Sequence, residues 1–376
     1  MKVILAPDSF RGCMGSCEVC SHLALGIRDG CPDARVISFP MADGGEGSLD
    51  VLSAMLSAQS HRAHITGPAG KRVVASFDLA GRTGMIEMSR ASGWSALQGD
   101  EEMDIMRTTS RGTGELMRKC LKMGARELLV CAGGTVTVDG GTGALRALGY
   151  TFLDGSGNHV GEGGGSLSSL RRICRSRSAN ELDDVTIRVL ADVDSPPLGQ
   201  RGAAQMFAPQ KGASRSEVEA LERGMANWVD VLEKHTENRL ADLPCGGAAG
   251  GVSLGLHALV GAELVMGAKW ILEKGGFLNL ARDADLIITG EGSLDDQSLG
   301  GKVTVAVLEA GRSLSVPVAA LCGRVRTDND PGFCVTLGRE IDDTDPIQSA
   351  IWLREAARRV TEEFLRSGGC RHSPRI

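Results

Sequence analysis

Short apolar runs, each followed by a polar or glycine-rich turn, mark both ends of the chain. Their length and β-branched character are typical of strands buried on both faces of a parallel sheet. Five of them lie at residues 3–6, 36–39, 286–289, 318–321 and 334–337. Segments with helical spacing accompany them, notably 16–30, which Ser16 is expected to cap, and 347–365. The pattern predicts an α/β fold with a doubly wound, flavodoxin-like parallel sheet.

The middle of the chain has a different pattern. Turn pairs such as Gly67-Pro68 separate short apolar runs, which is typical of antiparallel hairpins. Further predicted strands lie at 127–131 and 186–190, and further predicted helices at 103–123, 144–148 and 214–234. We therefore expect a second α/β domain, residues 61–283, inserted into a discontinuous domain of residues 1–60 plus 284–376. A ligand is expected in the cleft between the domains, where pockets often form.

One hexapeptide, GEGSLD, occurs twice, at 45–50 and at 290–295. Each copy follows an apolar run, so each is predicted to form a turn after a strand. Ligands of open α/β sheets bind at the carboxyl ends of the strands. The two turns are therefore expected to face one site. The alternative is that their acids only cap the helices that follow, as Asp commonly does.

Composition and charge exclude several classes of partner. The net charge is −6, aromatic residues make up 3% of the chain, and no block of five like charges occurs. Nucleic acid and anionic membranes are therefore not expected as partners. The first residues, MKVILAPDSF, predict a strand rather than an export signal, and the 11 scattered cysteines are typical of a reducing compartment. We expect a cytoplasmic protein.

Three of the cysteines, Cys13, Cys17 and Cys20, form a C-x3-C-x2-C pattern after the first strand. Thiolates in this spacing can hold an iron–sulfur cluster. The same offsets also place three residues on one face of a helix, where cysteine acts as a small apolar side chain. The apolar neighbours Val19, Leu23 and Ile27 favour the second interpretation, so all three cysteines are expected to pack inward.

The chemistry-bearing residues favour phosphoryl transfer. The chain has no Walker A motif, no dinucleotide-binding G-x-G-x-x-G in the right context, and no convincing H-E-x-x-H or nucleophile elbow. It has several glycine-rich turns, acids at strand ends and nearby cations. Glycines let backbone N–H groups approach phosphate, carboxylates hold Mg²⁺, and Arg or Lys offsets the charge of a moving phosphoryl group.

Several segments resemble motifs of the bacterial glycerate kinase family, in that family's order. They are APDSFRG at 6–12, PMADGGEGS at 40–48, PQKGA at 209–213, GAAGG at 247–251, ITGEG at 288–292 and GK at 301–302. Together they span nearly the whole chain. The resemblance implies an enzyme that uses ATP and Mg²⁺ to phosphorylate glycerate, commonly at the 2-hydroxyl. It also implies a flavodoxin-like domain interrupted by a second α/β domain.

Residues at the motif positions are candidates for the roles that such a reaction needs, and the division of the carboxylates between metal ligand and proton acceptor stays open. Arg11 and Lys302 are the expected phosphate-binding cations, and Asp192 and Asp295 are the expected proton acceptors. The expected Mg²⁺ ligands are Asp43, Glu46 and Glu291. Further substrate- or phosphate-binding positions are Asp8, Ser9, Gly133, Gly134, Asp139, Gly140, Gly141, Lys211, Gly250, Gly251, Gly290, Gly292 and Gln297.

This sequence departs from the family pattern at four positions. Val138 and Ser195 stand where asparagine is usual, Arg11 where lysine is usual, and Ser293 where arginine is frequent. Valine offers neither the donor nor the acceptor of an amide. Two alternatives therefore stay open: a kinase for a related small sugar acid, and a non-catalytic sensor of an acidic metabolite. The retained acids favour an enzyme with a small hydroxy-acid substrate. The oligomeric state is left open, with a homodimer as one option.

Overall fold

The computed structural model describes residues 1–10, 12–97, 103–295, 302–326, 334–337 and 345–368, with the backbone alone at 295, 325–326 and 334–337. Its strands are β1 (Lys2–Leu5), β2 (Arg35–Ser38), β3 (Gln59–Thr66), β4 (Arg72–Ala80), β5 (Thr83–Glu87), β6 (Glu127–Ala132), β7 (Tyr150–Leu153), β8 (Arg172–Arg175), β9 (Thr186–Ala191), β10 (Glu263–Met266), β11 (Leu286–Asp295), β12 (Val318–Arg326) and β13 (Cys334–Leu337).

The helices alternate with these strands. They are α1 (Ser16–Gly30), α2 (Ser48–Leu56), α3 (Met88–Ser92), α4 (Arg111–Lys122), α5 (Thr142–Ala147), α6 (Arg215–Thr236), α7 (Ala248–Val260), α8 (Gly267–Lys274), α9 (Phe277–Ala281), α10 (Val303–Leu314) and α11 (Pro346–Arg366). Short 3₁₀ turns lie at Trp94–Ala96, Gly164–Ser169, Arg177–Leu182 and Pro209–Lys211. None of the helices in the described part of the chain has the length and apolar character that a membrane span requires.

The chain divides into two compact units. Unit 1 comprises Met1–Asp43 and Ala268–Ile376, and unit 2 comprises Gly44–Gly267. The domain boundaries predicted from the sequence, 60/61 and 283/284, both lie later in the chain than the boundaries of the two units. The first difference arises because α2 packs on β4 and β5 of unit 2. The second arises because α9 belongs to unit 1, where Phe277 meets Phe39 edge-on at 5.1 Å between ring centroids.

Unit 1 is built on the five strands that the apolar runs predicted. All neighbours are parallel, in the order β13-β12-β11-β1-β2. Numbered by their order along the chain within this sheet, the strands follow 2-1-3-4-5, the flavodoxin-like arrangement with its switch point between β1 and β11. Side chains alternate between sheet faces, and Val3 and Leu5 pack with α1 and α11. The predicted fold class is confirmed.

Unit 2 contains a mixed sheet in the order β10-β9-β6-β5-β4-β3. The first four of these strands are parallel, and the β5-β4 and β4-β3 pairs are the antiparallel hairpins that the turn signals predicted. Helix α6 begins with a complete capping box between Ser214 and Glu217. It packs the fully buried Trp228 edge-on against Phe152, with ring centroids 5.4 Å apart.

Three local expectations are wrong. The helix predicted at 103–123 begins only at Arg111, because Ser110 uses its N–H and its hydroxyl to bind the distant Asp139 carboxylate, both at 2.8 Å. Cys17 is exposed, since α1 turns that position outward, whereas Cys20 is buried and Cys13 is half-buried before the helix. Ser16 is the first residue of α1 rather than its cap, and Gly15 occupies the cap position.

The two copies of GEGSLD adopt different structures. The copy at 45–50 runs through a turn into α2, with Gly47 in the left-handed cap position. The copy at 290–295 does not form a turn: it continues β11, because five of its six residues are in register with β12, as in the pairs Glu291–Cys322 and Asp295–Arg326. Tertiary pairing therefore overrides the glycines of the second copy, and the Asp295 backbone belongs to β11.

Candidate active site

The carboxyl edge of β1 and β11 places Asp8 at the switch point of unit 1. The Asp8 N–H donates to the Gly290 carbonyl at 2.8 Å, and the Asp8 Oδ1 accepts the Ser9 N–H at 2.6 Å. One step earlier, the Thr289 hydroxyl donates to the Ala6 carbonyl at 2.8 Å. These bonds fix the turn after β1 where open α/β sheets bind their ligands.

Three carboxylates and a lysine surround this point. Burial raises the pKa of Asp8 well above its ordinary value, and the charges of Asp43 and Glu291 raise it further, while Lys302 acts in the opposite direction. Asp43 and Glu291 are only 8% and 7% exposed. Burial and then the Glu291 charge also raise the pKa of the neighbouring Cys322 thiol. The structure thus brings together four of the predicted site residues within unit 1.

The donor set of this cluster fits Mg²⁺. The ion prefers oxygen ligands, and proteins commonly hold it with one or two carboxylates while phosphate oxygens and water complete the shell. A cation would also relieve the repulsion among Asp8, Asp43 and Glu291. Among the described residues, no three Asp, Glu, His or Cys side chains form a complete metal site by themselves. The assignment of Asp43 and Glu291 as Mg²⁺ ligands stays a prediction.

The glycines at 290 and 292 serve the sheet. A Cβ on Gly290 would lie 2.0 Å from the Leu321 carbonyl oxygen, so only glycine allows β11 and β12 to pair there. The Gly290 carbonyl accepts the Asp8 N–H, as described above. A Cβ on Gly323 of β12 would lie 2.6 Å from the Gly292 carbonyl oxygen. The role of Gly290 and Gly292 in phosphate binding stays a prediction.

In unit 2, three parallel strands end around the turn at Gly133 and Gly134. A Cβ on Gly133 would lie 2.5 Å from the Gly45 Cα and 2.6 Å from Oδ2 of Asp192, which follows β9. A Cβ on Gly134 would lie 3.8 Å from the Glu46 Cβ. The missing side chains therefore let the loop of Glu46 and the carboxylate of Asp192 approach the same turn.

Glu87, at the end of β5, holds the loop that carries Glu46. Its side chain is 1% exposed, and its Oε2 accepts the N–H groups of Gly47 at 3.1 Å and Leu49 at 2.9 Å. Its Oε1 accepts the Ser89 hydroxyl at 2.5 Å. The carboxylate satisfies the first N–H groups of α2, which no side chain of that helix caps. Sequence reasoning missed this residue, although an acid inside the apolar run Met85-Ile86-Glu87-Met88 signals a satisfied buried charge.

Lys211 is a buried cation beside Asp192. Its Nζ donates to the Thr137 carbonyl at 2.8 Å and to the Thr135 hydroxyl at 3.3 Å. Burial lowers the pKa of Lys211 to about 8, and the charges of Asp192 and Asp139 oppose that shift. Lys211 and Asp192 therefore belong to one electrostatic group at the carboxyl edge of the unit 2 sheet.

Lys211→Met is expected to change how stability depends on pH. The pKa of Lys211 is about 8 in the folded protein against an ordinary 10.5, so the unfolded state binds more protons between these values and the free energy of unfolding rises with pH. From pH 8 to pH 10.5, the wild type should gain up to about 3 kcal/mol more than the variant. Denaturant unfolding of both proteins at both pH values measures this difference. An identical pH dependence in the two proteins would refute it.

Asp139 is committed to the protein's own backbone. Besides the two bonds from Ser110, its carboxylate accepts the N–H groups of Gly141 at 3.1 Å and Gly143 at 3.2 Å. Burial nevertheless raises the pKa of Asp139, against the effect of these four bonds. We conclude that Asp139 shapes the loop between β6 and α5. Its predicted contact with substrate or phosphate stays untested.

Four left-handed glycines, two in this loop and two at the start of α7, pack closely against other segments of unit 2. A Cβ on Gly140 would lie 2.5 Å from Cδ1 of Trp228, and one on Gly250 would lie 1.9 Å from the Thr137 carbonyl oxygen. Gly141 and Gly251, also left-handed, face Val252 and Met225 in the same way. The space beside all four is filled by protein atoms, and the Gly140 N–H donates to the Gly250 carbonyl at 3.0 Å.

Two of the four positions that depart from the family pattern, Val138 and Ser195, are buried. Val138 is fully buried in the main apolar cluster of unit 2, and Ser195 is 3% exposed, with its hydroxyl 4.0 Å from the Met206 sulfur. Arg11, Gln297 and the side chain of Asp295 lie outside the described residues. Lys302 occupies the cap position of α10 and is half-buried.

The fold and these strand ends define an α/β protein with a cluster of charged side chains at the carboxyl edge of a flavodoxin-like sheet. The sequence matches the model of the glycerate kinase family over residues 3–360, nearly its whole length. The chain belongs to the glycerate kinase family, so the predicted family is confirmed, and so is the prediction of an enzyme.

Individual relatives agree with the family match. Glycerate 2-kinase of Escherichia coli (strain K12) is 38% identical over 330 residues, which cover 87% of this chain and 86% of that protein. Glycerate kinase of Bacillus subtilis (strain 168) is 38% identical over 332 residues, which cover 88% and 87%. A crystal structure assigned as glycerate kinase 2 from Salmonella typhimurium LT2 has a TM-score of 0.82 at 32% identity, and covers 98% of this chain and 99% of that chain.

Proposed function

We propose that this enzyme transfers the γ-phosphoryl group of ATP to the 2-hydroxyl of glycerate, in the cytoplasm and with Mg²⁺. The family assignment supports the substrate, and the relative named Glycerate 2-kinase supports the 2-position. The observation that carries the proposal is the cluster of Asp8, Asp43, Glu291 and Lys302 at the switch point of unit 1. Acids with an adjacent lysine suit a metal–phosphate ligand better than an uncharged one.

Negative charge is the first obstacle, because both ATP and glycerate are anions. Lys302, at the start of α10, is a cation whose charge acts on Asp8 of the acid cluster, and Arg11 is the second proposed phosphate-binding cation. Backbone N–H groups of the glycine-rich turns add dipoles of the same sign. When bound, Mg²⁺ would offset part of the negative charge of the phosphate groups. Asp43 and Glu291, which belong to the acid cluster of unit 1, are its proposed ligands, and Glu46 stays a predicted one.

The hydroxyl proton is the second obstacle. The glycerate oxygen forms a bond to the γ-phosphorus, the bond from that phosphorus to the bridging oxygen breaks, and its electron pair leaves with ADP. The hydroxyl proton must pass to a base as this happens. Asp192 and Asp295 are the proposed acceptors. Lys211 lies in the electrostatic group of Asp192 and favours its charged form, as a carboxylate that must accept a proton requires.

ADP release tests the proposal directly. Purified protein with ATP, Mg²⁺ and glycerate should release ADP and form phosphoglycerate, and the reaction should stop without glycerate or with excess EDTA. Enolase acts on 2-phosphoglycerate without a mutase, so enolase alone should detect the product at once. Product that is detected only after a phosphoglycerate mutase is added would contradict transfer to the 2-hydroxyl.

A panel of related hydroxy acids separates the alternatives. Faster turnover of another sugar acid than of glycerate would favour the related kinase. Glycerate binding by calorimetry without ATP turnover on any acid would favour the sensor. We expect glycerate to give the highest kcat/KM, because Val138 is packed in the apolar core of unit 2 rather than exposed to a ligand.

A further inference from the structure

A strongly basic cleft lies on unit 2, along helix α4. It has a volume of about 420 Å³, within the range of small-molecule sites. Helix α4 forms its floor, the β3-β4 hairpin one wall and the end of α5 the other. Its charged lining consists of six cationic side chains and a single carboxylate, together with His64. The cations are Arg72, Arg111, Arg118, Lys119, Lys122 and Arg146.

The carboxylate in the cleft does not neutralise most of this charge. Glu115 accepts the Thr66 N–H at 2.7 Å and the Thr66 hydroxyl at 3.0 Å, and it lies 3.4 Å from Nε of Arg111. Arg111 also pairs with Glu162. Within the described part of the chain, the other five cations form no ion pair with a carboxylate. The cleft therefore has an excess of positive charge on a protein whose net charge is −6.

Three of the cleft arginines donate to backbone carbonyls, and the longest of these bonds joins Nη2 of Arg72 to the His64 carbonyl at 3.4 Å. Nη1 of Arg118 donates to the Ala147 carbonyl at 3.2 Å, and Nη2 of Arg146 donates to the Val160 carbonyl at 2.6 Å. These bonds orient each guanidinium without neutralising it. Burial lowers the pKa of Arg146, and the charge of Arg111 lowers it further, while Glu162 opposes the shift. An anion in the cleft would relieve this unfavourable concentration of charge.

Helix α4 itself is weakened by the arrangement. Arg118 and Lys122 are four residues apart, so their like charges lie one above the other and disfavour the helix. Lysines in the last turn of a helix interact favourably with the helix dipole, and this effect alone would explain the presence of Lys119 and Lys122. It does not account for the arginines that reach the same cleft from β4 and α5. Cations converging from three elements are better explained by a ligand than by helix stability.

We propose that this cleft binds small organic phosphates that carry two or more negative charges. Guanidinium groups match the geometry of phosphate oxygens, and lysines add mobile point charges. Helix α4 rises about 16 Å from Arg111 to Lys122, enough to contact two phosphate groups on one small molecule. The cleft uses none of the residues assigned to the kinase reaction, so it forms a second anion site on the enzyme.

Calorimetry with fructose 1,6-bisphosphate as the probe tests this site, without ATP or glycerate and at 0.1 M ionic strength. The wild type is expected to bind with a Kd below about 1 mM. Lys119→Gln/Lys122→Gln should weaken binding at least about tenfold, or about 1.4 kcal/mol. Both lysine side chains are exposed and make no hydrogen bond within the described residues, so the variant should fold normally. Any binding at the kinase site is the same in both proteins and does not affect the comparison.

The matched control removes two charges elsewhere in unit 2. Arg223→Gln/Lys234→Gln alters two exposed residues of α6 and should bind the probe like the wild type. Equal weakening in both double variants, or no binding by the wild type, would overturn the proposal. Citrate at the same concentration tests selectivity: binding as tight as that of the bisphosphate would overturn the preference for phosphate.

Discussion

Asp192→Asn is expected to lower turnover of glycerate by roughly 10²- to 10⁴-fold while the protein stays folded, the typical cost of losing a general base. The carboxylate follows β9 and lies against the Gly133 turn, near the loop of Glu46. Asparagine keeps the size of the side chain but cannot accept the hydroxyl proton. Steady-state kinetics with ATP, Mg²⁺ and glycerate, beside a melting curve, measures both quantities.

A purely structural role for Asp192 makes the opposite prediction. If the carboxylate only balances the buried charge of Lys211, its loss should lower the melting temperature and leave kcat almost unchanged. Asp194→Asn supplies the matched control two residues away, since the Asp194 side chain is exposed and forms a surface ion pair with Arg201. Such pairs contribute about 0–1 kcal/mol, so this variant should match the wild type in both measurements. Near-normal turnover in Asp192→Asn would remove it from the mechanism, and Asp295→Asn would then test the other candidate.

Local patterns predicted the fold well because its main signals are local. Each strand of the unit 1 sheet is an uninterrupted apolar run, and burial on both faces of a parallel sheet requires such a run. The bounds of α1 and the capping box of α6 follow equally from nearby residues. The hairpins of unit 2 follow from their turn pairs.

Two of the errors arose where distant partners decide the structure. Residues 103–110 have helical spacing, but Ser110 bonds instead to Asp139, 29 residues away. The second GEGSLD segment has the glycines of a turn, but it lies alongside β12 and stays extended. In both cases the partner is distant in the chain, and a single sequence does not show which distant residues come into contact. The sequence prediction therefore failed at segments that lie beside the candidate site.

The site itself was partly predictable. Acids after strands were recognised because the carboxyl ends of parallel strands share one edge, and the structure places Asp8, Asp43 and Glu291 together in unit 1. The glycines were harder to interpret. Gly133 makes room for Asp192, whereas Gly140 makes room for Trp228. Both look alike in sequence, because a missing side chain does not reveal which neighbour occupies the space.

Gly250→Ala should cause a large loss of stability. Its backbone is left-handed, with φ +67°, which costs roughly 1–2 kcal/mol for alanine. In addition, the new Cβ would lie 1.9 Å from the Thr137 carbonyl oxygen, and such overpacking typically costs about 1–3 kcal/mol. Together we expect the free energy of unfolding to fall by roughly 2–5 kcal/mol. Denaturant unfolding at pH 7 measures this change.

Gly261→Ala is the matched control for the steric part of that loss. Gly261 is also left-handed, with φ +68°, but a Cβ there would meet no atom within 4 Å. It should therefore lose only the roughly 1–2 kcal/mol that the backbone conformation costs. The difference between the variants isolates the contact with Thr137, whose carbonyl also accepts the Lys211 Nζ at 2.8 Å. Equal losses in the two variants would mean that the loop moves aside freely. A larger loss in Gly250→Ala, with weaker turnover, would instead show that packing of this loop keeps Lys211 beside Asp192.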